Sequence, residues 1–453
     1  MRKKSIRFMV CSLITVILLV VSVIYRISIN EDIKLSASGD KNVSNDPKLK
    51  GKTIVRVWIR KDSVSSTRAY QVEKFNEEND DVYIMLSEYK QDYDNLTKTA
   101  LAAEKGPDIM TYAFFEMIKD GQISNLEKAG VNLNKIGKEN LVYYNGEPFG
   151  TRMIENNVKF IWNKDIFKKA GLDPNKPPKT FKQLIEYCEK IKKIDPDIIP
   201  FQFPLNSYQD FKLSIGEPSV NLGNIYTTFW DYKNGNYDFN YAQNILSVYN
   251  ELYFKGLLDK DFDKKSRKQL RTDFYKGKSA MMLSTFEDKG YFSNIIPLSF
   301  DTGIANLPKV HDEDDNKQYF LANSNFLCIN NKITEKSDKE KKAVLQVYEW
   351  LTSQEPNKEI LKTRMAILPL VKDTKVESDI YKEYNNVNNF KTEAYDPSIF
   401  ISRNSSQTVQ LCVETIKGDK QIRQAIDELN KSYVEACNIS NKYRVLDLKS
   451  YTK

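Results

Sequence analysis

Val158-Lys159-Phe160-Ile161-Trp162-Asn163-Lys164-Asp165-Ile166-Phe167-Lys168-Lys169-Ala170-Gly171-Leu172-Asp173, followed by Pro174 and then by Pro177-Pro178-Lys179-Thr180-Phe181, is the stretch on which the fold turns. It reads as an apolar strand, Val158 to Trp162, that passes through Asn163-Lys164-Asp165 into a short amphipathic helix carrying Ile166, Phe167 and Ala170. Gly171 stops that helix, because glycine enters the left-handed region without a Cβ penalty, and the prolines beyond it cannot supply the N–H of a further turn. Thr180 opens a second helix whose apolar residues Phe181, Leu184, Ile185, Cys188 and Ile191 fall on one face at helical spacing. Strand, stopped helix, proline corner and capped helix together make one packing unit.

Upstream, strand and helix patterns alternate. Ile54 to Ile59, Val82 to Leu86 and Asp108 to Tyr112 read as strands, and Thr67 to Phe75 and Tyr93 to Glu104 as the helices between them. Such alternation implies crossover connections and a mainly parallel sheet covered by helices. Ligands of open sheets bind beyond the carboxyl ends of the strands, which here are Arg60 to Asp62 and Tyr112 to Phe115.

A chain of 453 residues exceeds what one hydrophobic core supports, so two domains are expected. The net charge is +7, but Arg2, Lys3, Lys4, Arg7 and Arg26 lie in the first 30 residues without an acid, leaving +2 for the rest. That balance gives no basic surplus for nucleic acid. Phe8 to Tyr25 is an uncharged apolar run of 18 residues, about 27 Å as a helix, close to the hydrocarbon thickness of a bilayer. The basic residues ahead of it stay cytoplasmic, so the chain beyond the run is exported. No small-x-small site follows the run closely, Ser36-Ala37-Ser38 being far downstream, and Arg26 borders it; residues 1–26 are therefore read as an uncleaved anchor in preference to a cleaved signal. Residues 27–50, rich in Ser, Asn, Asp and Lys without apolar period, read as a tether. The remaining cysteines, Cys188, Cys328, Cys412 and Cys437, lack metal-type spacing and read as buried thiols, with a Cys412–Cys437 bridge left open.

The run Phe160 to Asp173 with Pro177 to Phe181 resembles the signature of extracellular solute-binding proteins of ABC importers, in the group that includes maltose-binding protein. Val57 to Asp62 is similar to the first strand and loop of that family, and Gly106-Pro107-Asp108-Ile109 to its short motif outside the crossing. Phe274 to Met282 is similar to a late strand, Gly303 to Pro308 with Phe320 to Ile329 to a second crossing, and Met365 to Pro369 to a third. The resemblance implies a two-lobe periplasmic-binding-protein type II fold of the α/β class, following the membrane segment, with discontinuous lobes joined by hinge crossings. Residues 51–156 and 322–368 would form the N-lobe and residues 157–321 and 369–453 the C-lobe. In such a family a lipid-modified Cys often follows the apolar run; Cys11, near its start, departs from that pattern.

The same resemblance, with the strand-end argument, picks out a cleft lined by Trp58, Arg60, Asp62, Tyr112, Glu155, Asn156, Trp230 and Phe286. For Trp230 the aromatic setting Tyr226 to Tyr232 fits a core position as well, and Asp108 reads as a turn anchor. Arg60 and Arg152 would suit an acidic ligand, unless Arg60 pairs with Asp62 or a neighbour and Arg152 with Glu155, which would leave a neutral cleft. His311, the sole histidine, stands in an acidic loop, which removes histidine triads and histidine-rich metal sites. Gly277-Lys278-Ser279 mimics the end of a phosphate loop, but Thr272 stands where its first glycine belongs. The expectation is a non-enzymatic, cofactor-free, metal-free monomer at the outer face of the cell membrane, binding a carbohydrate and serving ABC permease subunits. A membrane-anchored sensing subunit partnering a sensor kinase is the alternative, and an enzyme acting on glycans stands behind both.

Overall fold

Strand β1, Thr53–Arg60, is covered on both faces: Val55, Val57 and Ile59 enter an aliphatic core on one side, and Trp58 packs on the other. Through the crossover helices α1, Ser65–Glu78, and α2, Tyr93–Ala102, it pairs in parallel with β2, Val82–Tyr89, and β3, Ile109–Thr111. Beyond β3 the sheet is not parallel, contrary to the expectation from alternation. It is completed by β4, Leu141–Tyr144, and β5, Glu147–Arg152, and by a strand from far downstream, Phe326–Ile329, that inserts antiparallel between β3 and β5.

The structure, a computed structural model, describes residues 49–61, 65–90, 92–111, 115–136, 140–152, 155–156, 158–220, 225–285, 298–310, 318–322, 326–357, 390–392, 397, 405–443 and 446–452. The apolar run Phe8 to Tyr25, most of the tether, Asp62, Tyr112, Phe286, His311 and the stretch Met365 to Pro369 lie outside the described residues, and Glu155 and Asn156 are described in their backbone only. Among the described residues no helix is long and apolar enough to cross a membrane.

After β5 the chain forms a two-residue strand, β6, Glu155–Asn156, and then β7, Val158–Asn163, whose six residues are all buried. Asn163 Oδ1 accepts from the backbone N–H of Asp165 and Ile166 at 2.9 and 3.1 Å and starts α3, Lys164–Lys169. Gly171 ends it at φ +67°, and Thr180 Oγ1 accepts from Gln183 N at 3.2 Å to open α4, Phe181–Ile194. The five apolar residues expected on the inner face of α4 are its buried ones.

Strands β8, Ile199–Gln202, β9, Trp230–Asp231, and β10, Asn236–Tyr237, then helices α5, Gln243–Phe254, and α6, Arg267–Tyr275, lead to β11, Ser279–Thr285, and β12, Thr302–Ala305. A second sheet has the order β12-β7-β11-β8, in which only β11 and β8 are parallel. Its edge requires a glycine at 303, since a Cβ there would stand 2.0 Å from the buried Trp162 ring. Strand β13, Gln318–Ala322, returns beside β6, with Leu321 opposite Asn156 and Ala322 opposite Glu155. Phe326–Ile329, now β14, and α7, Asp338–Leu351, rejoin the first core. A short strand β15, Phe390–Thr392, extends β13, and α8, Ser405–Lys417, with α9, Ile422–Lys442, rejoins the second core. Cys188, Cys328, Cys412 and Cys437 are free thiols, so Cys412 and Cys437 are not bridged.

Candidate functional site

Both sheets turn a strand-end edge toward the paired segments β6 and β13. In the first sheet β1, β3 and β5 run one way and end at Arg60, Thr111 and Arg152; Leu327 of β14 faces both Thr111 and Thr151, which sets those ends level. In the second sheet β11 ends at Thr285, opposite Val158, the first residue of β7. Since one residue separates β6 from β7, this edge also adjoins the crossing. An open sheet offers its ligand position beyond such ends, where backbone groups have no further ladder partner.

The first edge is held by hydrogen bonds that fix strand ends. Arg60 N donates to Thr111 Oγ1 at 2.9 Å, and the Tyr93 hydroxyl donates to Thr111 O at 2.5 Å. Thr151 Oγ1 and the Tyr348 hydroxyl are 2.8 Å apart, and Tyr348 donates onward to Leu327 O at 3.1 Å. Burial pushes the Tyr93 and Tyr348 hydroxyls well above the ordinary tyrosine range, so both remain donors at physiological pH. Below this edge Asp108 is structural: its Oδ2 accepts from Arg56 N at 2.8 Å and its Oδ1 meets Lys336 Nζ at 3.0 Å.

Two basic side chains of this edge differ sharply. Arg60 is 43% exposed and its Nη2 lies 3.4 Å from Asp94 Oδ2, a solvent-screened pair. Arg152 is only 7% exposed, and its Nε and Nη1 have no hydrogen-bond partner among the described residues. On the second edge Lys159 is fully buried in β7 and donates to Asn306 Oδ1 at 2.5 Å. Burial pushes the Lys159 ammonium down to about 8, against the opposing pull of Glu217.

The two tryptophans expected in the cleft hold packing positions. Trp58, 4% exposed, lies 5.0 Å from the Tyr89 ring in a cluster with Tyr93, Leu96 and Ala100 under α2. Trp230 is fully buried, edge-on to Tyr237 at 5.0 Å, with Nε1 donating to Tyr451 O at 3.0 Å. Arg60 stands at the edge as expected, and Glu155 and Asn156 form β6 itself. Asp62, Tyr112 and Phe286, outside the described residues, come just after the ends of β1, β3 and β11 in sequence. Thr111, Lys159 and Asn306 escaped the sequence reading, although a lysine inside the apolar run of β7 was a visible signal. Among the described residues no group of three or more His, Cys, Asp or Glu side chains is placed to hold a metal. A concavity of about 800 Å³ between Val131–Ile136 and α7 shares no residue with either edge.

The fold is shared with the cyclic α-maltosyl-1,6-maltose binding protein of Arthrobacter globiformis, with TM-score 0.67 and 17% identity, covering 85% of this chain and 99% of that one. The sugar-binding protein MalE of Xanthomonas citri matches with TM-score 0.68 and 18% identity, over 86% of this chain and 99% of that one. At such identities the likeness is one of fold. In sequence, the sn-glycerol-3-phosphate-binding periplasmic protein UgpB of Brucella abortus is 33% identical over 135 residues, covering 26% of this chain and 31% of the relative. UgpB of Escherichia coli K12 is 61% identical over 31 residues, 7% of either chain. The chain thus spans less than a third of the length of these curated relatives. The profile of the bacterial extracellular solute-binding proteins matches residues 60–358, well over half of the chain, and the protein belongs to that family.

Proposed function

We propose that the protein captures a carbohydrate, an oligosaccharide foremost, between its two sheet bodies and delivers it to ABC permease subunits, acting as a monomer tethered to the outer face of the membrane by residues 1–26. The observation that carries this reading is the antiparallel pairing of β6 with β13 beside the strand-end edges of both sheets. Two short antiparallel links side by side would make a hinge, and a hinge beside two strand-end edges is what a closing receptor needs. The return of β14 and α7 to the first core, and of α8 and α9 to the second, supports an N-lobe of residues 51–156 and 322–368 and a C-lobe of 157–321 and 369–453. Arg60, Asp62 and Tyr112 would line the first face, Glu155 and Asn156 the hinge, and Phe286 the second face; Trp58 and Trp230 would support it from the cores.

Isothermal titration of the full chain in detergent is the test, against neutral oligosaccharides and, because the UgpB relatives carry it in their name, sn-glycerol 3-phosphate. The reading expects one tight solute with compaction in X-ray scattering. No binding and no compaction across the panel would overturn it. A stable histidine-kinase partner without a permease on co-purification from the native membrane would replace delivery by sensing.

A further inference from the structure

Arg152 ends β5 at the crossing with its guanidinium buried and two of its nitrogens unpartnered among the described residues. An isolated buried cation is costly, and buried cations are found paired and hydrogen-bonded. Register shows where this one goes. Arg152 stands opposite Phe326 on β14, so the two side chains leave the same face of the sheet. Thr151, its neighbour, leaves the other face toward Tyr348. On that face Phe326 packs with Met110, Met117, Ile118, Val142 and Cys328.

Among the described residues no carboxylate of the edge forms an ion pair with Arg152: Asp94 meets Arg60 through Oδ2, Glu88 meets Lys61, and Asp108 meets Lys336 and the Arg56 backbone. Asp94 Oδ1 and Glu88 Oε1 are nonetheless buried without a hydrogen-bond partner among the same residues. Lys159, the other buried cation flanking the crossing, is served by Asn306 and by the field of Glu217. Arg152 alone of the two lacks such partners among the described residues, and it ends β5 at the strand-end edge.

We propose that Arg152 is an anion-reading subsite: the solute carries a phosphate or carboxylate group, and that group completes the guanidinium's hydrogen bonds. The inference rests on the cleft-receptor reading. Hydroxyls of a neutral sugar could accept the N–H groups but would leave the charge uncompensated, whereas an anion does both. Of the two arginines flagged in the sequence, the structure therefore keeps Arg152 and leaves Arg60 to Asp94.

The test is titration of the full chain in detergent with matched probes: glucose, glucose 6-phosphate and glucuronate, then maltose and its phosphorylated and uronic counterparts. The tightest probe should be anionic, binding about 100-fold more tightly than its neutral counterpart, as expected for charge-assisted hydrogen bonds. Which anionic arm wins identifies phosphate or carboxylate. Arg152→Gln should remove that preference, bringing the anionic probe and its neutral counterpart to within about threefold of one another, and Arg152→Lys should keep part of it. Circular dichroism melts verify folding; if Arg152→Gln does not fold, the reduced anion preference of Arg152→Lys decides. A tightest probe that is neutral, or an anion preference untouched by both variants, overturns the subsite and leaves the receptor reading standing. Absence of any binding to the wild type overturns the receptor reading and the subsite with it.

Discussion

The two sheet bodies bury their cores with different chemistry. Around the six-stranded sheet the core is mainly aliphatic: Val55, Val57, Ile59, Ile84, Ile109, Ile329, Val344 and Val347. Around the four-stranded sheet it is a network of rings, with Phe160 stacked on Phe201 at 6.2 Å, Phe203 on Tyr249 at 4.1 Å and Phe229 on Phe239 at 5.0 Å. The difference arises from the chain between β8 and β11, where short helices and two-residue strands leave few ladder hydrogen bonds. Large aromatic faces hold such irregular backbone by area and ring geometry. Much of the Tyr and Phe richness of the sequence is thus spent inside one body, and aromatic abundance is a poor guide to a sugar-stacking cleft.

Truncation should expose this contrast most strongly at Phe203, fully buried and also 5.8 Å from Phe201 and 5.6 Å from Phe262. Phe203→Ala should cost about 3–5 kcal/mol in guanidinium unfolding, while Ile84→Val in the aliphatic core should cost about 0.5–1.5 kcal/mol. Losses of equal size would mean that the ring network relaxes around its cavity and that the two cores do not differ in the way their chemistry implies.

The same contrast explains what the sequence disclosed. Local signals were legible because neighbours in sequence decide them: the Thr180 cap, the Gly171 stop, the inner face of α4, the Asp108 turn. The antiparallel half of the first sheet was not, since β14 reaches its place between β3 and β5 from far downstream and no local period announces that. Trp58 shows a second limit. Both faces of β1 are covered, so alternation reveals that the ring points inward but cannot say whether inward means a cleft or the underside of α2. For Arg152 the sequence offered Glu155 as a partner, whereas the fold leaves two of its nitrogens buried without one among the described residues.

Lys159 sharpens the comparison by pH, because it is a charge enclosed in the aromatic body. Its folded pKa of about 8 lies below the ordinary 10.5, so below pH 8 both states hold the proton and the fold bears the whole cost of the buried ammonium. Between pH 8 and 10.5 the folded chain releases the proton while the unfolded chain keeps it, and this group's contribution to stability rises with pH. Buried Cys188, Cys328 and Tyr249 act in the opposite sense, since burial raises their pKa values and the unfolded chain ionises first. Only the difference between wild type and Lys159→Met isolates the lysine. In urea unfolding across this window the wild type should gain roughly 2–3 kcal/mol relative to the variant. A flat difference would show that Glu217 and Asn306 offset the burial entirely.

The smallest effect belongs to the aliphatic body, which recruits its covering helix α7 through a local signal. Ser337 Oγ accepts from Glu340 N at 3.4 Å, and Glu340 Oε2 accepts from Ser337 N at 3.0 Å, so the first turn is closed reciprocally. The hydrogen bonds from Ser337 lower the Glu340 pKa below 4.5. A carboxylate whose folded pKa is depressed adds stability above its unfolded pKa and loses it as the pH falls through the folded value. Ser337→Ala should therefore cost about 1 kcal/mol at pH 7, and the penalty should shrink as the pH falls through the depressed folded pKa of Glu340, where the box is lost in the wild type as well. Because α7 carries Val344 and Val347 onto β1, the loss should appear as faster amide exchange in α7 and β1, with β7 and β11 unchanged. Equal exchange in both sheets would mean that the two bodies unfold as one unit, and the chemical contrast between their cores would then have no separate energetic expression.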